Sequence, residues 1–215
     1  MRSNLGHGVF QRKNFRTILL VAYLILWLVF AIAPHDRTAW LLENLLVVLF
    51  AALLIFTSRW FAFSNESYLL MAVFLALHAA GAHYTYTHAP LGEWLKEWLH
   101  LSRNHSDRII HFGFGLFMAY PARELLWRLA RIGPMAAIWL AVAGVLAAST
   151  LFEVAEAAVA EIVSPGSGPQ WLGGQGDVWD AQWDMTLALT GAIAAMLLTW
   201  SVEFVTSRQT HDRGG

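Results

Sequence analysis

Long apolar runs broken by short polar clusters dominate the chain. An apolar run of about 20 residues crosses the hydrocarbon of a bilayer as a helix. Six such runs occur, at roughly 16–33, 39–57, 67–87, 107–127, 134–162 and 182–204. The first, from Ile18 to Ala33, is long for the core of a signal peptide, and Pro34 stands where cleavage would fall; it is expected to stay as a helix. A different pattern occupies 91–101, LGEWLKEWLHL. Leu91, Trp94, Leu95, Trp98 and Leu99 share one helical face, while Glu93, Lys96, Glu97 and His100 point away. That spacing predicts a short amphipathic helix lying flat in the membrane interface, with a lid packed on the bundle as the alternative. The expected fold is all-α, a single integral membrane domain. A six-helix bundle over 16–204 carries an N-terminal segment, 1–15, and a tail, 205–215.

Composition agrees with this pattern. Of 215 residues, 57% are hydrophobic and 13% charged, where a soluble domain carries about a quarter charged; the mean hydropathy is +0.49. There is no cysteine, which removes disulfides and thiolate metal sites. A net charge of −1 argues against a nucleic-acid partner.

Charge sets an orientation. Arg2, Arg12, Lys13, Arg16, Arg59, Arg123, Arg128, Arg131, Arg208 and Arg213 fall on one side of the six runs; Arg37, Lys96, Arg103 and Arg108 fall on the other. The basic-rich side is expected to be cytoplasmic, so both termini are inside. The acids reverse this bias. Glu66, Glu124, Glu203 and Asp212 lie on the cytoplasmic half, and the other eleven of fifteen lie on the outer half with seven of nine histidines. On the last run, Glu203 and Ser201 are the only inner polar candidates for a path across the membrane.

Several outer groups lie inside the runs. SDRIIHFGFG sets Asp107 and His111 one turn apart on one face, and Glu153 and Glu156 share a face in the fifth run. Counted from Val163, Glu153 lies about 15 Å below the helix end. In GGQGDVWDAQWDM, Asp177, Asp180 and Asp184 recur at intervals of three and four, the spacing of one helical face. LHAAGAHYTYTHAP brings His83, Tyr84 and His88 to a similar level, and WLLENLL does so for Glu43 and Asn44. Arg108, Gln175 and Asp177 complete the candidate polar cavity. Bland roles compete at some positions. Asp177 and Asp180 suit a helix cap and its dipole; Trp171, Trp179 and Trp183 suit an aromatic belt; His35, His100 and His105 suit water; Arg108 suits a surface pair with Asp107. They fit Glu153, Glu156, Asp184 and His111 poorly, because an ionisable group within a span costs about 2.5–3.5 kcal/mol.

Carboxylates with one or two imidazoles and no thiol suit a divalent cation, and helix bundles build such sites from i, i+3 and i, i+4 pairs. A cation relieves the mutual repulsion of the acids; protons, Arg108 or His111 are the alternatives. The expected ligands are Asp107, His111, Asp180 and Asp184. Glu153 or Glu156 is expected as general base, and His83 as a further ligand or acid. Three function classes follow. One is a metal-dependent membrane hydrolase or transferase acting on a lipid-linked or cell-envelope substrate, with membrane lipid as partner. The second is a proton- or cation-coupled transporter, and the third a non-catalytic lipid- or antibiotic-binding protein.

IAPHDRTAWLLEN, HAAGAHYTYTHAP, NHSDRIIHFGFG, FEVAEA and GGQGDVWDAQWDM, in that order over about 15–205, resemble the YjdF-like family of bacterial inner-membrane proteins. That resemblance implies a multi-pass address in the inner (plasma) membrane and no known activity. More distantly, DRIIHF, a glutamate in the next helix and an aspartate-led final helix with a glycine resemble the VanZ-like family. VanZ-like proteins are associated with glycopeptide-antibiotic resistance, which implies cell-envelope chemistry. This chain departs from that family in having Glu156 and GGQGD where a Gln and an Arg-rich motif are typical.

Overall fold

A computed structural model describes the backbone of residues 3–163 and 175–212, and the side chains of 14–162 and 175–209. The expected outer loop around Gly168 and Trp171, and the side chains of Arg2, Arg12, Lys13, Asp212 and Arg213, lie outside the described residues. Those residues form seven helices and no strand. The helices are α1 Ser3–Phe30, α2 Arg37–Thr57, α3 Asn65–His83, α4 Pro90–Leu99, α5 Ser106–Arg128, α6 Pro134–Val163 and α7 Asp180–Asp212.

By length and composition, α2 and the stretches Pro134–Ile162 and Asp180–Gln209 are apolar enough to cross a membrane, and Asn14–Phe30 is a shorter apolar segment. α3 and α5 fall short for a chemical reason. They carry Asn65, Glu66, His78 and His83, and Asp107, Arg108, His111, Arg123 and Glu124 respectively. Apart from the exposed Glu66, these are groups that the bundle buries or pairs. Large apolar side chains point outward instead, among them Leu24, Leu28, Leu53, Trp139, Leu151 and Leu198. In water such a surface would be unfavourable; in lipid it is the expected one.

Local signals set the boundaries. Asp36 begins α2 by accepting from the backbone N–H of Thr38 and Ala39 at 2.7 and 2.9 Å. Ser64 caps α3 through the N–H of Ser67. Pro90 opens α4, where its fixed φ suits the first turn and its missing N–H costs nothing. Two expectations are corrected. α3 ends at His83 rather than 87, because Thr85 and Tyr86 take left-handed backbone at φ 51° and 53°; Tyr84 and His88 therefore sit in a turn. α1 and α7 also continue beyond their apolar runs, to Ser3 and Asp212.

α5 is the central helix, packed against α3, α6 and α7. Its crossing with α7 is close: a Cβ on Gly115 would collide with the Ala188 carbonyl, and one on Gly191 with the Phe112 carbonyl. Around this crossing the core includes Ala119, Ala141, Ala188, Ala192 and Ala195, small residues that let helices approach where no water drives them together. α4 is tied to α5 by the buried Asn104, whose amide donates to the Ala89 carbonyl and to Glu93. The stacked Trp94 and Trp98 of α4 stay exposed, so its apolar face does not pack on the bundle.

Candidate functional site

The close α5–α7 crossing brings three expected side chains together. Asp107 and His111, one turn apart on α5, meet Asp184 from the second turn of α7. One ligand atom from each lies within 4.8 Å of the others. His111 Nε2 is 3.7 Å from Asp107 Oδ1 and 3.4 Å from Glu153 Oε1 of α6. Asp184 is 2% exposed and His111 8%. Asp184 Oδ1 and Glu153 Oε1 are buried without a hydrogen-bond partner among the described residues. A buried carboxylate oxygen left unsatisfied is costly unless a proton or cation takes it.

The other two aspartates of the opening turn have different partners. Arg103 Nη1 donates to Asp180 Oδ1 at 2.6 Å, and Arg108 Nη2 to Asp177 Oδ2 at 2.5 Å. Both cross-distances are 3.6 Å, which makes a four-residue charge network. Asp177 also caps its own turn by accepting from Trp179 N–H. That bond, with Arg108 beside it, holds the Asp177 carboxyl below the usual carboxylate range. Burial and the two guanidinium groups hold His105 below the ordinary imidazole value. Gln175 fixes the approach to this turn. Its side chain both accepts from Asn104 N–H and donates to Asn104 C=O, at 3.1 and 2.9 Å. Of the four expected ligands, then, the structure gathers Asp107, His111 and Asp184, and engages Asp180 with arginine.

Beside the cluster is a cavity of about 510 Å³ between α2, α3, α5 and α6. Its walls are mostly apolar, with Phe50, Phe74, Phe114, Met118 and Phe152 prominent. Its polar lining comes chiefly from Glu43, His78, Tyr86, Asp107, His111 and Glu156, so the expected Glu43 and Glu156 do reach it. Tyr86 hydroxyl donates to Glu43 Oε2 at 3.0 Å and lies 3.1 Å from His78 Nδ1. The left-handed turn at Thr85 and Tyr86 folds the tyrosine back against Gly81, where a Cβ would strike its ring. Sequence reasoning missed Tyr86, because its position depends on a turn beyond the helix end.

The remaining candidates lie elsewhere. His83 Nδ1 is 2.8 Å from the Phe30 carbonyl and its ring packs on Phe30 and on Tyr84; neither His83 nor Tyr84 lines the cavity. His88 stacks on His35 with ring centroids 4.1 Å apart. Asn44 accepts from Trp27 Nε1 at 2.5 Å and joins α1 to α2. At the opposite end of the bundle lies a second polar network. Glu124, 6% exposed, accepts from Ser64 N–H and Oγ, from Ser67 Oγ and from Arg128, while Arg123 pairs with Glu203 at 2.9 Å. Ser64 and Ser67 carried no signal in the sequence, since serines near a helix start usually serve as caps.

Comparison with known proteins follows this geometry. A family model described as "Predicted membrane protein (DUF2238)" matches residues 15–203. The inner membrane protein YjdF of Escherichia coli (strain K12) is 36% identical over 167 residues, covering 77% of this chain and 79% of that protein. No solved structure matches.

Proposed function

We propose, for a chain that belongs to the DUF2238 family of predicted membrane proteins, that it is a cation-dependent hydrolase or transferase working within the outer half of the inner membrane. The reading takes α1, α2, α3, α5, α6 and α7 as six spans with both termini in the cytoplasm. Support comes from the bias of basic residues and from the inner-membrane relative. α4 then lies on the outer leaflet with its stacked tryptophans in the interface.

The observation that carries the chemistry is the unpartnered Asp184 Oδ1, buried beside His111 and Asp107, which themselves line the cavity. Arg103 and Arg108 are already engaged by Asp180 and Asp177. A divalent cation answers the cluster best. Two carboxylates and an imidazole suit Mn²⁺ or Zn²⁺ and leave coordination positions open for water or substrate. Such a cation lowers the pKa of bound water or polarises a phosphoryl or carbonyl oxygen. Glu153 Oε1, 3.4 Å from His111 Nε2 and without a hydrogen-bond partner among the described residues, adds a further carboxylate beside the cluster. Glu156, which lines the cavity, is the general base. The substrate is a cell-envelope compound reached from the outer face.

A transporter fits less well. Below the polar groups the cavity is walled by Phe50, Phe74, Phe114 and Met118, and the opposite-end polar groups are committed to one another. The test is metal content of the purified protein at neutral pH. Wild type should retain about one equivalent of a divalent cation, with His111→Ala and Asp184→Asn losing it and Asp177→Asn keeping it. Equal content in all four would end the reading.

A further inference from the structure

The cavity is polar at one end and apolar at the other. Glu43 and Glu156 lie about 9 and 10 Å from the nearer ends of α2 and α6, whereas Met118 and Phe50 lie about 18–20 Å in. The apolar well therefore reaches the middle of the bilayer, not the water. Its side wall is incomplete. The main packing partner of α2 is α3, whereas α6 packs on α5 and α7. Leu46 of α2 and Leu151 of α6 line the cavity and are also 42% and 69% exposed. The cavity is thus open where these two side chains stand.

We propose that the cavity takes up a lipid of the outer leaflet sideways, between α2 and α6. Its apolar chain fills the well lined by Phe50, Phe74 and Met118, and its polar end lies between Tyr86 and the Asp107–His111 pair. This rests on the orientation proposed above and extends the cation-site reading by naming the substrate class. Chemistry favours this occupant over a water-soluble one. A preformed cavity of about 300–1,000 Å³ with a few convergent polar groups is the usual form of a specific ligand site, and a sugar or nucleotide would leave its hydroxyls unsatisfied against phenylalanines. At the polar end Tyr86 hydroxyl gives its one proton to Glu43 and lies 3.1 Å from His78 Nδ1, so it meets a headgroup as an acceptor, from a hydroxyl or ammonium donor. The nearby carboxylates disfavour an anionic headgroup unless a cation sits between them, which ties headgroup binding to the metal.

The experiment uses the full chain in bilayer discs containing a phospholipid with a photoactivatable group near the middle of one chain. Labelled residues are mapped by mass spectrometry, and metal content is read on the same samples. Labelling of Phe50, Phe74 and Met118 is expected, alongside general labelling of lipid-facing residues such as Leu24 and Trp139. Met118→Trp, which fills the well, and Leu151→Trp, which blocks its exposed side, should each lower labelling of Phe74 about tenfold and leave Leu24 unchanged. Asp184→Asn should lose the cation and keep the chain in the well. Labelling confined to Leu24 and Trp139, or Phe74 labelling undiminished in both tryptophan variants, overturns the proposal. A bound cation with an unlabelled well would remove this inference alone. A labelled well without a cation would remove the metal reading alone.

Discussion

Gly115 of α5 faces the backbone carbonyl of Ala188 in α7 with no space for a methyl group between them. The opposing atom is backbone, so no side-chain movement can relieve a clash. Gly115→Ala is expected to destabilise by about 1–3 kcal/mol through overpacking, and to separate Asp184 from His111. Gly144→Ala is the control. Nothing lies within 4 Å of that position, and exchanging a helical glycine for alanine there should stabilise by about 0.5–1 kcal/mol. Melting temperatures in one detergent, with metal content, check both. Equal behaviour of the two variants would sink the close-crossing argument.

The buried Arg103–Asp180 pair predicts a cycle. Removing one member of a buried pair leaves an uncompensated charge and costs about 3–5 kcal/mol, whereas replacing both by apolar residues is often close to neutral. Arg103→Met should therefore lower stability strongly, and Arg103→Met with Asp180→Leu should recover most of the loss. Chemical or thermal unfolding of Arg103→Met, Asp180→Leu and the double variant measures the coupling. Additive losses would mean that the pair is not a unit.

Asp177 gives a pH prediction. Its folded carboxyl is held below the ordinary range by Trp179 N–H and Arg108, with Arg103, Asp180 and His105 around it. A depressed folded value contributes stability above the ordinary carboxylate pKa of about 4, lost as pH falls through the folded value. The stability difference between wild type and Asp177→Asn should be constant from neutral pH to about 4 and shrink below it. A difference that widens on acidification would contradict the geometry.

Position in the cavity predicts unequal effects. Once a substrate is identified, Glu156→Gln and Asp184→Asn should abolish turnover with folded protein still in the membrane, whereas Glu161→Gln, at an exposed site, should be silent. Turnover per folded molecule is the measurement, and three equal losses would deprive the site of meaning.

Orientation is tested by reporter fusions. Fusions after Arg131 and Arg208 should report cytoplasm, and one near Ser102 should report the outside. A cytoplasmic signal at Ser102 would put the whole cluster on the wrong face.

Much of this was legible in the chain. Each of the six apolar runs and the amphipathic stretch corresponds to one of the seven helices, because length and periodicity are local properties; the extensions of α1 to Ser3 and α7 to Asp212 lie in polar sequence that hydropathy does not mark. Asp107, His111 and Asp184 were legible as a group because each is an ionisable residue at similar depth in an apolar run. The partner of Arg103 was not. Asp180 is 77 residues away, and an arginine in an outer loop reads as solvated. The bland alternative for Arg108, a surface pair with Asp107, gives way to a pair with Asp177, since adjacent residues on a helix do not face each other. The turn that delivers Tyr86 depends on contact with Gly81 and Ile110, which periodicity does not encode.

The Arg103–Asp180 and Arg108–Asp177 pairs have a consequence for how the protein is made. Synthesis runs from the N-terminus, so both arginines emerge long before the aspartates that neutralise them. In the proposed orientation they must be delivered across the membrane as unpaired positive charges, against the direction that basic residues favour. Until α7 emerges, topology rests on Arg16, Arg59, Arg123, Arg128 and Arg131 holding the other side. The last helix then acts as a latch. Its arrival joins the first turn of α7 to the start of α5, and it supplies Asp184 to a cluster that no earlier part of the chain can complete.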